Sequence, residues 1–486
     1  MLQILPIFRA FALILAMFGS TMLVPLGFAW LFQDGAEAAF DNGLMITLGS
    51  ALVLWLVSYR DRRELQIKDG FLLVVLTWTL LPGFAAIPLM DFFWPRLSFT
   101  EAYFETMSGI TTTGATVLSD LDKLPFSINL WRGELVWLGG MGLIVLAVAI
   151  LPLLGVGGRQ MFKAESPGPM KESKLTPRMA ETAKGLWKIY GLISLACFLS
   201  CWAAGMTWRD ALIHLGPIMG LGGFSSHDAS FGFFDSLAIE GVTIFFMYIA
   251  GMNFATHFLA FQGRSLLAYR GDPEAGWFVG VTTASVIGIA LFLWVNGTYG
   301  DFWESLRFSA FNVVSIATTT GFASTDYSLW PIFAPLWMLF LCSFATCAGS
   351  TGGGVKMIRA IILYKQTFRE VMRSMHPNLV KPIKVGGAVV PNAIVFAVLA
   401  FGFMYMVLTV SLTLAMAFSG LDIVTAFSAV VACLNNTGPG LNQVGPATTY
   451  AVLTDYQTWI CTLAMLLGRL EIFTLLVVLT PSFWLR

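Results

Sequence analysis

The sequence predicts an all-α polytopic membrane protein made of four tandem repeats preceded by two extra transmembrane helices. Three observations carry this. Apolar runs of membrane-spanning length recur along the whole chain, every second connection between them is rich in Lys and Arg, and four short glycine-centred segments recur in register. Composition agrees: of 486 residues, 57% are hydrophobic and 12% charged, with a mean hydropathy of +0.76, whereas soluble domains carry about 25% charged residues. The 28 basic and 28 acidic side chains cancel, which excludes the overall basic character of a nucleic-acid binder. Cys197, Cys201, Cys342, Cys347, Cys433 and Cys461 lie mostly in apolar runs, with no CxxC pair or neighbouring His cluster. Apolar packing is expected of them, rather than disulfides or a zinc site.

A helix needs roughly 20 apolar residues to cross a bilayer. The hydropathy pattern predicts helices over 10–32, 43–59, 69–91, 131–156, 186–206, 237–262, 276–296, 332–363, 388–418 and 451–483. Arg9 ahead of the first run imitates a secretory signal. The run continues past Leu31 without a small-residue cleavage site, however, and reads as a first membrane helix. Arg60, Arg62 and Arg63 follow the second run, and Arg159, Lys163, Lys171, Lys174, Arg178 and Lys184 follow the fourth. Arg264 and Arg270 follow the sixth, and Arg359, Lys365, Arg369, Arg373, Lys381 and Lys384 the eighth. The positive-inside rule then puts these connections and both termini in the cytoplasm. The longest such connection, Gly157 to Lys184 with Pro167, Pro169 and Pro177, is either a docking loop or plain polar surface.

The repeated segments are Phe99–Thr116, Trp208–Ser225, Leu306–Ala323 and Ile423–Gly440. Each is a short semi-apolar helix followed by a small-residue loop, and Gly114, Gly223, Gly321 and Gly438 align. The residue before each glycine is Thr113, Gly222, Thr320 or Thr437, and Ala102, Ala211, Ser309 and Ala426 align near the helix starts. A single such loop would read as a helix C-cap and turn. Four in register on the side opposite the basic loops, each too short to span, predict re-entrant segments around one axis, because irregular backbone at membrane depth must line a cavity or be buried in protein. The unit is span–pore helix–filter–span. The chain divides into two extra helices over 1–68 and repeats over 69–158, 159–262, 263–364 and 365–486.

Such loops suit a dehydrated cation. Backbone carbonyls replace the hydration shell without a fixed charge in the path. Glycine permits the crowded, unusual backbone, threonine adds hydroxyl oxygens near the inner mouth, and the C-terminal ends of the short helices favour positive charge. The expected filter is Thr112, Thr113 and Gly114; Gly222 and Gly223; Thr319, Thr320 and Gly321; and Asn436, Thr437 and Gly438. No ring of Asp or Glu stands at these positions.

The eighth run is interrupted by Gly349, Ser350, Thr351, Gly352, Gly353 and Gly354, followed by Lys356. Glycine costs about 1 kcal/mol relative to alanine in a helix interior, so the helix should open here. The segment reads as an intramembrane gate loop beneath the third filter, or alternatively as a close-packing notch. Arg469 and Glu471 interrupt the last run. Arg469 reads as a barrier below the filter or a tether for the loop, with a structural ion pair to a buried acid as the alternative. Lys356 carries the same ambiguity or snorkels to the cytoplasmic face. Glu105, His214 and Asn312 share one register position and read as polar packing behind the filter, while His227 and Asp228 are placed at the outer mouth. No nucleophile–base pair, nucleotide-binding glycine loop or catalytic carboxylate pair is evident, so no enzyme is expected.

With TTTGAT at 111–116, GGFS at 222–225, ATTTGF at 317–322, NNTGPGL at 435–441, AGSTGGGVK at 348–356 and GRLEIF at 468–473, the chain resembles the Trk/Ktr/HKT superfamily of potassium transporters, in particular its bacterial TrkH/TrkG branch. The resemblance spans the chain, including the two leading helices. It implies potassium uptake across the bacterial inner membrane, with potassium ions held by the four aligned glycines, an intramembrane gate in the third repeat and Arg469 as the basic residue under the filter. It further implies a homodimer with one pore per protomer and a cytoplasmic TrkA-type regulatory subunit. NAD or ATP would belong to that partner, with no cofactor bound by this chain. Plant relatives with serine in the first filter favour sodium; glycine at all four positions here favours potassium. A potassium carrier coupled to proton or sodium symport is the alternative, though the filter segments offer no in-line acid for coupling.

Overall fold

The computed structural model describes residues 4–60, 63, 65–142 and 179–484. Among them the chain is almost wholly helical; the strands are a two-residue hairpin, Lys384–Val385 against Ala388–Val389. The two extra helices are Leu5–Thr21, continued through Met22 by Leu23–Phe32, and Glu37–Ser58. They lock onto the first repeat through Trp131, whose ring lies 5.7 Å from Phe18 and 6.2 Å from Phe40 while its indole donates to the Ala85 carbonyl at 3.1 Å.

Each repeat has an outer helix, a short pore helix and an inner helix. The outer helices are Ile67–Ala85, Met179–Ala203, Ala275–Val295 and Asn392–Phe418. The pore helices are Phe99–Ile110, Trp208–Gly220, Phe302–Ala317 and Ile423–Leu434, of 12, 13, 16 and 12 residues. At 1.5 Å per residue the shortest reach only about 18 Å, well below a hydrocarbon core of about 30 Å. Every pore helix opens on a side-chain cap: Ser98, Thr207, Asp301 and Asp422 accept from the amides of Glu101, Asp210, Trp303 and Thr425. Such caps contribute about 1 kcal/mol each, and they begin the four helices in the same way despite different sequences.

The inner helices depart from ideal spans. That of the first repeat is described over Phe126–Gly140; the rest of the expected span to 156, and the loop 157–178, lie outside the described residues. In the second, Leu237–Gly251 and Phe254–Gly263 meet at 96°, and in the fourth, Asp455–Arg469 and Phe473–Leu479 meet at 110°. Straight spans over 237–262 and 451–483 are therefore corrected to bent ones. At the first bend Asn253 caps the new helix, its Oδ1 accepting from the Ala255 amide, and the freed Ala250 and Gly251 carbonyls find other donors. At the second, Glu471 and Ile472 take positive φ of 50° and 62°, and Glu471 pairs with Arg359 at 2.5 Å. In the third repeat Phe333–Cys342 stops after ten residues, an irregular segment follows, and Met357–Met375 resumes. Among the described residues six helices are long and apolar enough to cross a membrane, and two bent pairs also meet the criterion. The six cysteines are buried and free.

Candidate ion pathway

The four glycine loops form a closed ring. A Cβ on Gly114 would stand 2.9 Å from the Gly223 nitrogen, one on Gly223 2.5 Å from the Thr320 carbonyl oxygen, one on Gly321 would fall on the Thr437 carbonyl, and one on Gly438 would stand 2.6 Å from the Thr113 carbonyl oxygen. First neighbours second, second third, third fourth, and fourth first. The backbone repeats with the ring. The residue two before each glycine is left-handed, with φ of 57° at Thr112, 56° at Leu221, 61° at Thr319 and 54° at Asn436. Gly114, Gly321 and Gly438 are also positive, at 83°, 88° and 97°. The residue before each glycine donates its amide into the end of its own pore helix: Thr113 to Ser108, Gly222 to Pro217, Thr320 to Ser315 and Thr437 to Ala432, all at 2.8–3.0 Å. Gly222 stands where the other loops have threonine because its Cβ position is 2.8 Å from Thr112 backbone atoms.

Behind the ring, each loop is fastened to its own pore helix by different chemistry. In the first, Glu105 accepts from the Val117 amide at 2.9 Å and from the Thr116 hydroxyl, and Arg132 donates to Glu105 at 2.9 Å, to Asn129 at 3.1 Å and to the Ser225 carbonyl at 3.0 Å. Both charged side chains are 1% exposed, and the Arg132 guanidinium lies 4.3 Å from the Phe224 ring centroid. In the second, His214 bridges the Asp210 carbonyl and the Ser225 hydroxyl at 2.8 and 2.9 Å. In the third, Asn312 donates to the Ser324 hydroxyl at 2.9 Å and accepts from its amide at 3.2 Å. In the fourth, Ser428 accepts from the Leu441 amide at 2.9 Å. The shared register of Glu105, His214 and Asn312 thus marks polar groups behind the loops; Arg132, inside an apolar run, was not singled out from sequence, although a lone cation there is the signal for such a partner.

At one mouth of the ring lies a cavity of about 410 Å³, with Gly114, Gly223 and Gly321 in its lining alongside Asp120, His227 and Asp228. His227 joins two repeats: its ring hydrogen-bonds Asp122 from the first and, at 3.2 Å, Asp210 from the second, and it stacks on Phe233 at 3.5 Å. Burial alone would lower the imidazole, but hydrogen bonds to the two carboxylates outweigh it and raise it above its ordinary value. Burial would raise Asp210, yet hydrogen bonds from His227 and Thr207 hold it at about 2.

At the other end of the loops, the segment between Cys342 and Met357 lies against the bases of the second, third and fourth, and Arg469 links it to the first. Gly353 donates to the Thr319 hydroxyl at 2.9 Å, and a Cβ on it would fall on the Asn435 carbonyl. The Thr351 hydroxyl donates to the Met219 carbonyl at 2.9 Å, at the end of the second pore helix. Arg469 donates to the Thr351 carbonyl at 3.0 Å, to the Thr112 hydroxyl at 3.2 Å, and to the Gly139 and Gly140 carbonyls. It therefore ties the segment to the first loop, while the neighbouring acid, Glu471, pairs with Arg359. Lys356 is 8% exposed and donates back to the Gly352 carbonyl, so it folds into the segment rather than snorkelling outward. Gly349, at φ 79°, accepts from the Phe254 amide at 3.0 Å, and Cys347 donates to the Gly251 carbonyl at 3.0 Å. Ser350 turns inward on the Cys347 carbonyl, and Gly354 takes φ of 80°. The bend of the second inner helix thus supplies the groups that satisfy an irregular backbone at membrane depth.

The family model for TrkH, described as a cation transport protein, matches residues 36–484. The chain is 45% identical over 476 residues to the Trk system potassium uptake protein TrkH of Salmonella typhimurium, covering 98% of each. It is 35% identical over 468 residues to the Trk system potassium uptake protein TrkG of Escherichia coli, covering 96% of each. The crystal structure of the potassium transporter TrkH from Vibrio parahaemolyticus superposes with a TM-score of 0.90 at 43% identity, covering 99% of this chain and 100% of that one.

Proposed function

This chain belongs to the TrkH family of cation transport proteins, of the Trk potassium uptake superfamily, and from that membership we propose that it conducts potassium ions inward through one channel-like pore. The selectivity filter in this reading is the ring of Thr112, Thr113 and Gly114; Gly222 and Gly223; Thr319, Thr320 and Gly321; and Asn436, Thr437 and Gly438. The observation that carries it is the cyclic contact of four loops with a left-handed residue at one shared position. In the first, third and fourth loops the glycine is left-handed as well, and such alternating backbone handedness turns successive carbonyls toward the same side, which a filter needs if main-chain oxygens are to replace the hydration shell.

The loop from Gly349 to Gly354, with Lys356 and Arg469, acts as the gate. It rests on the bases of the second, third and fourth loops and is tied to the first through Arg469, and its hold is a handful of hydrogen bonds rather than a continuous helix. The basic connections and both termini face the cytoplasm, where a TrkA-type regulator binding NAD or ATP acts on the gate. The protein works as a homodimer in the inner membrane, each protomer with its own pore and each built from the two extra helices and the four repeats already delimited. The ring presents no carboxylate to the axis for coupling, which supports passive flow over symport.

The test is cation flux through the purified protein in liposomes, comparing potassium, rubidium and sodium with and without a proton gradient. Potassium-selective flux indifferent to the gradient is expected; flux that requires the gradient would replace the pore with a coupled carrier.

A further inference from the structure

We infer that Glu274 is a positioning residue of the gate, latching both ends of the intramembrane loop with one carboxyl oxygen and releasing it when ionised. This rests on the gated-pore reading above. Glu274 stands just ahead of the membrane-spanning helix Ala275–Val295 and reads, from sequence, as an ordinary acid at a helix start. Its carboxyl instead serves another element. Oε2 accepts from the Ala348 amide at 2.8 Å and from the Ile358 amide at 3.1 Å, on either side of the glycine run. Ile358 is in the first turn of Met357–Met375, a helix whose own Lys356 gives no side-chain cap, so Glu274 satisfies one of the amides that a helix start leaves open. The contacts of Thr351 and Gly353 with the loop bases lie between these two anchors. Glu274 is 6% exposed.

The charged and titratable groups around it are Asp272, whose Oδ1 accepts the Glu274 amide at 2.9 Å, Lys356 and Cys347 in the loop, and Arg359, paired with Glu471. His257, bonded to the Tyr269 hydroxyl, lies beyond Asp272, which holds Thr256. Burial is the largest influence and raises the carboxyl; the Ala348 and Ile358 amides and Lys356 lower it, Asp272 raises it, and it settles at about 7 against an ordinary 4.5. A loop that moves away admits water, and the carboxyl returns toward its ordinary value. The state with the lower value gains as pH rises. Acid on the cytoplasmic side therefore holds the loop shut with a neutral carboxyl, and rising pH favours release. For values of 7 latched and 4.5 released, a single proton changes the open-to-closed ratio about tenfold between about pH 6 and about pH 8.

Both bonds go to one oxygen, and a carbonyl oxygen has two lone pairs. Glu274→Gln therefore reproduces the neutral latch, and Glu274→Ala removes it. The experiment is rubidium flux through the full-length protein in oriented bilayers, with cytoplasmic-side pH stepped through 7 and the other side fixed. The wild type should rise about tenfold across that range. Glu274→Gln should stay low and flat, Glu274→Ala high and flat, and Asp272→Asn should move the midpoint to lower pH. A flat wild-type profile with flux present, or Glu274→Gln retaining the wild-type profile, overturns the latch alone. No flux at any pH in any variant overturns the latch and the pore reading together.

Discussion

The first and third repeats carry the same loop sequence, TTTG at 111–114 and at 318–321, and rest it on different supports. Behind the first loop is a buried ion pair, Glu105 with Arg132, and below it an inner helix that continues through Gly139. Behind the third is a neutral amide–hydroxyl contact, Asn312 with Ser324, and below it an inner helix that ends at Cys342 and gives way to an irregular segment, the proposed gate loop. The threonine contacts match to within 0.1 Å: Thr111 with Thr113 at 2.8 Å, Thr318 with Thr320 at 2.7 Å. One backbone geometry is thus reached twice, once against a fixed wall and once against a wall that the proposed gating makes movable. An identical loop does not require identical surroundings, only the same amide and hydroxyl partners at the loop itself.

The largest expected effect comes from breaking the fixed wall. Arg132→Met leaves the Glu105 carboxylate without its cation at a site 1% exposed, and an unpaired buried charge costs about 3–5 kcal/mol. The purified variant should lose thermal stability by that amount, and adding Glu105→Gln should recover most of the loss. If the single variant melts like the wild type, the ion pair is not what holds the first loop. The matching change on the movable side, Asn312→Ala, leaves the Ser324 amide and hydroxyl without their partner. It should cost about 1–3 kcal/mol, measured by the same melting curve, so the gap between the two variants reports the difference in support directly.

Glycine-to-alanine changes sharpen the contrast below the ring. At Gly139 the added methyl falls on the Ile110 carbonyl, between two helices that cannot part, and overpacking of about 1–3 kcal/mol should appear as lost stability. At Gly353 it falls on the Asn435 carbonyl, but the loop carrying it can back away. Gly353→Ala should therefore raise potassium flux, by about tenfold for each 1.4 kcal/mol of strain relieved on opening, with a smaller loss in melting temperature; removing Gly349–Gly354 should raise it further. Equal stability losses and unchanged flux at both sites would mean that the segment is a packing notch.

Much of this arrangement was legible in the sequence because it depends on local pattern. The short helices, the glycine register and the glycine run at 349–354 all arise from residues close in the chain. What remained hidden depends on contacts between distant elements. Glu274 lies far along the chain from the amides it binds and looks like any helix-start acid. Arg132 finds Glu105 only once the inner helix folds back on the pore helix. The bend after Gly251 falls inside a run read as one span, because its freed carbonyls are satisfied by the segment around Cys347 and Thr351, and the bend at Glu471 turns where that side chain pairs with Arg359; periodicity reveals neither partner.

The smallest expected effect concerns the outer rim, where the first repeat is tied to the second. His227 stands between Asp122 and Asp210 with its imidazole raised above 6.5, its ordinary value. A cation gaining acidic partners on folding contributes stability that is complete below 6.5 and lost as pH rises through the folded value. The pair is partly open to solvent, with Asp122 47% exposed, so the contribution should stay under about 1 kcal/mol. Melting temperature of the wild type should therefore decline slightly as pH is raised from about 6 to about 8, a window set by that raised value. His227→Asn should start lower and flatten the slope by the rim's share, leaving the share that Glu274 contributes in the same window. The rim's share should persist in Asn312→Ala, whose lesion lies behind the third loop. If Asn312→Ala abolished it, the first and third repeats would be coupled across the ring, and the fixed and movable walls would act as one.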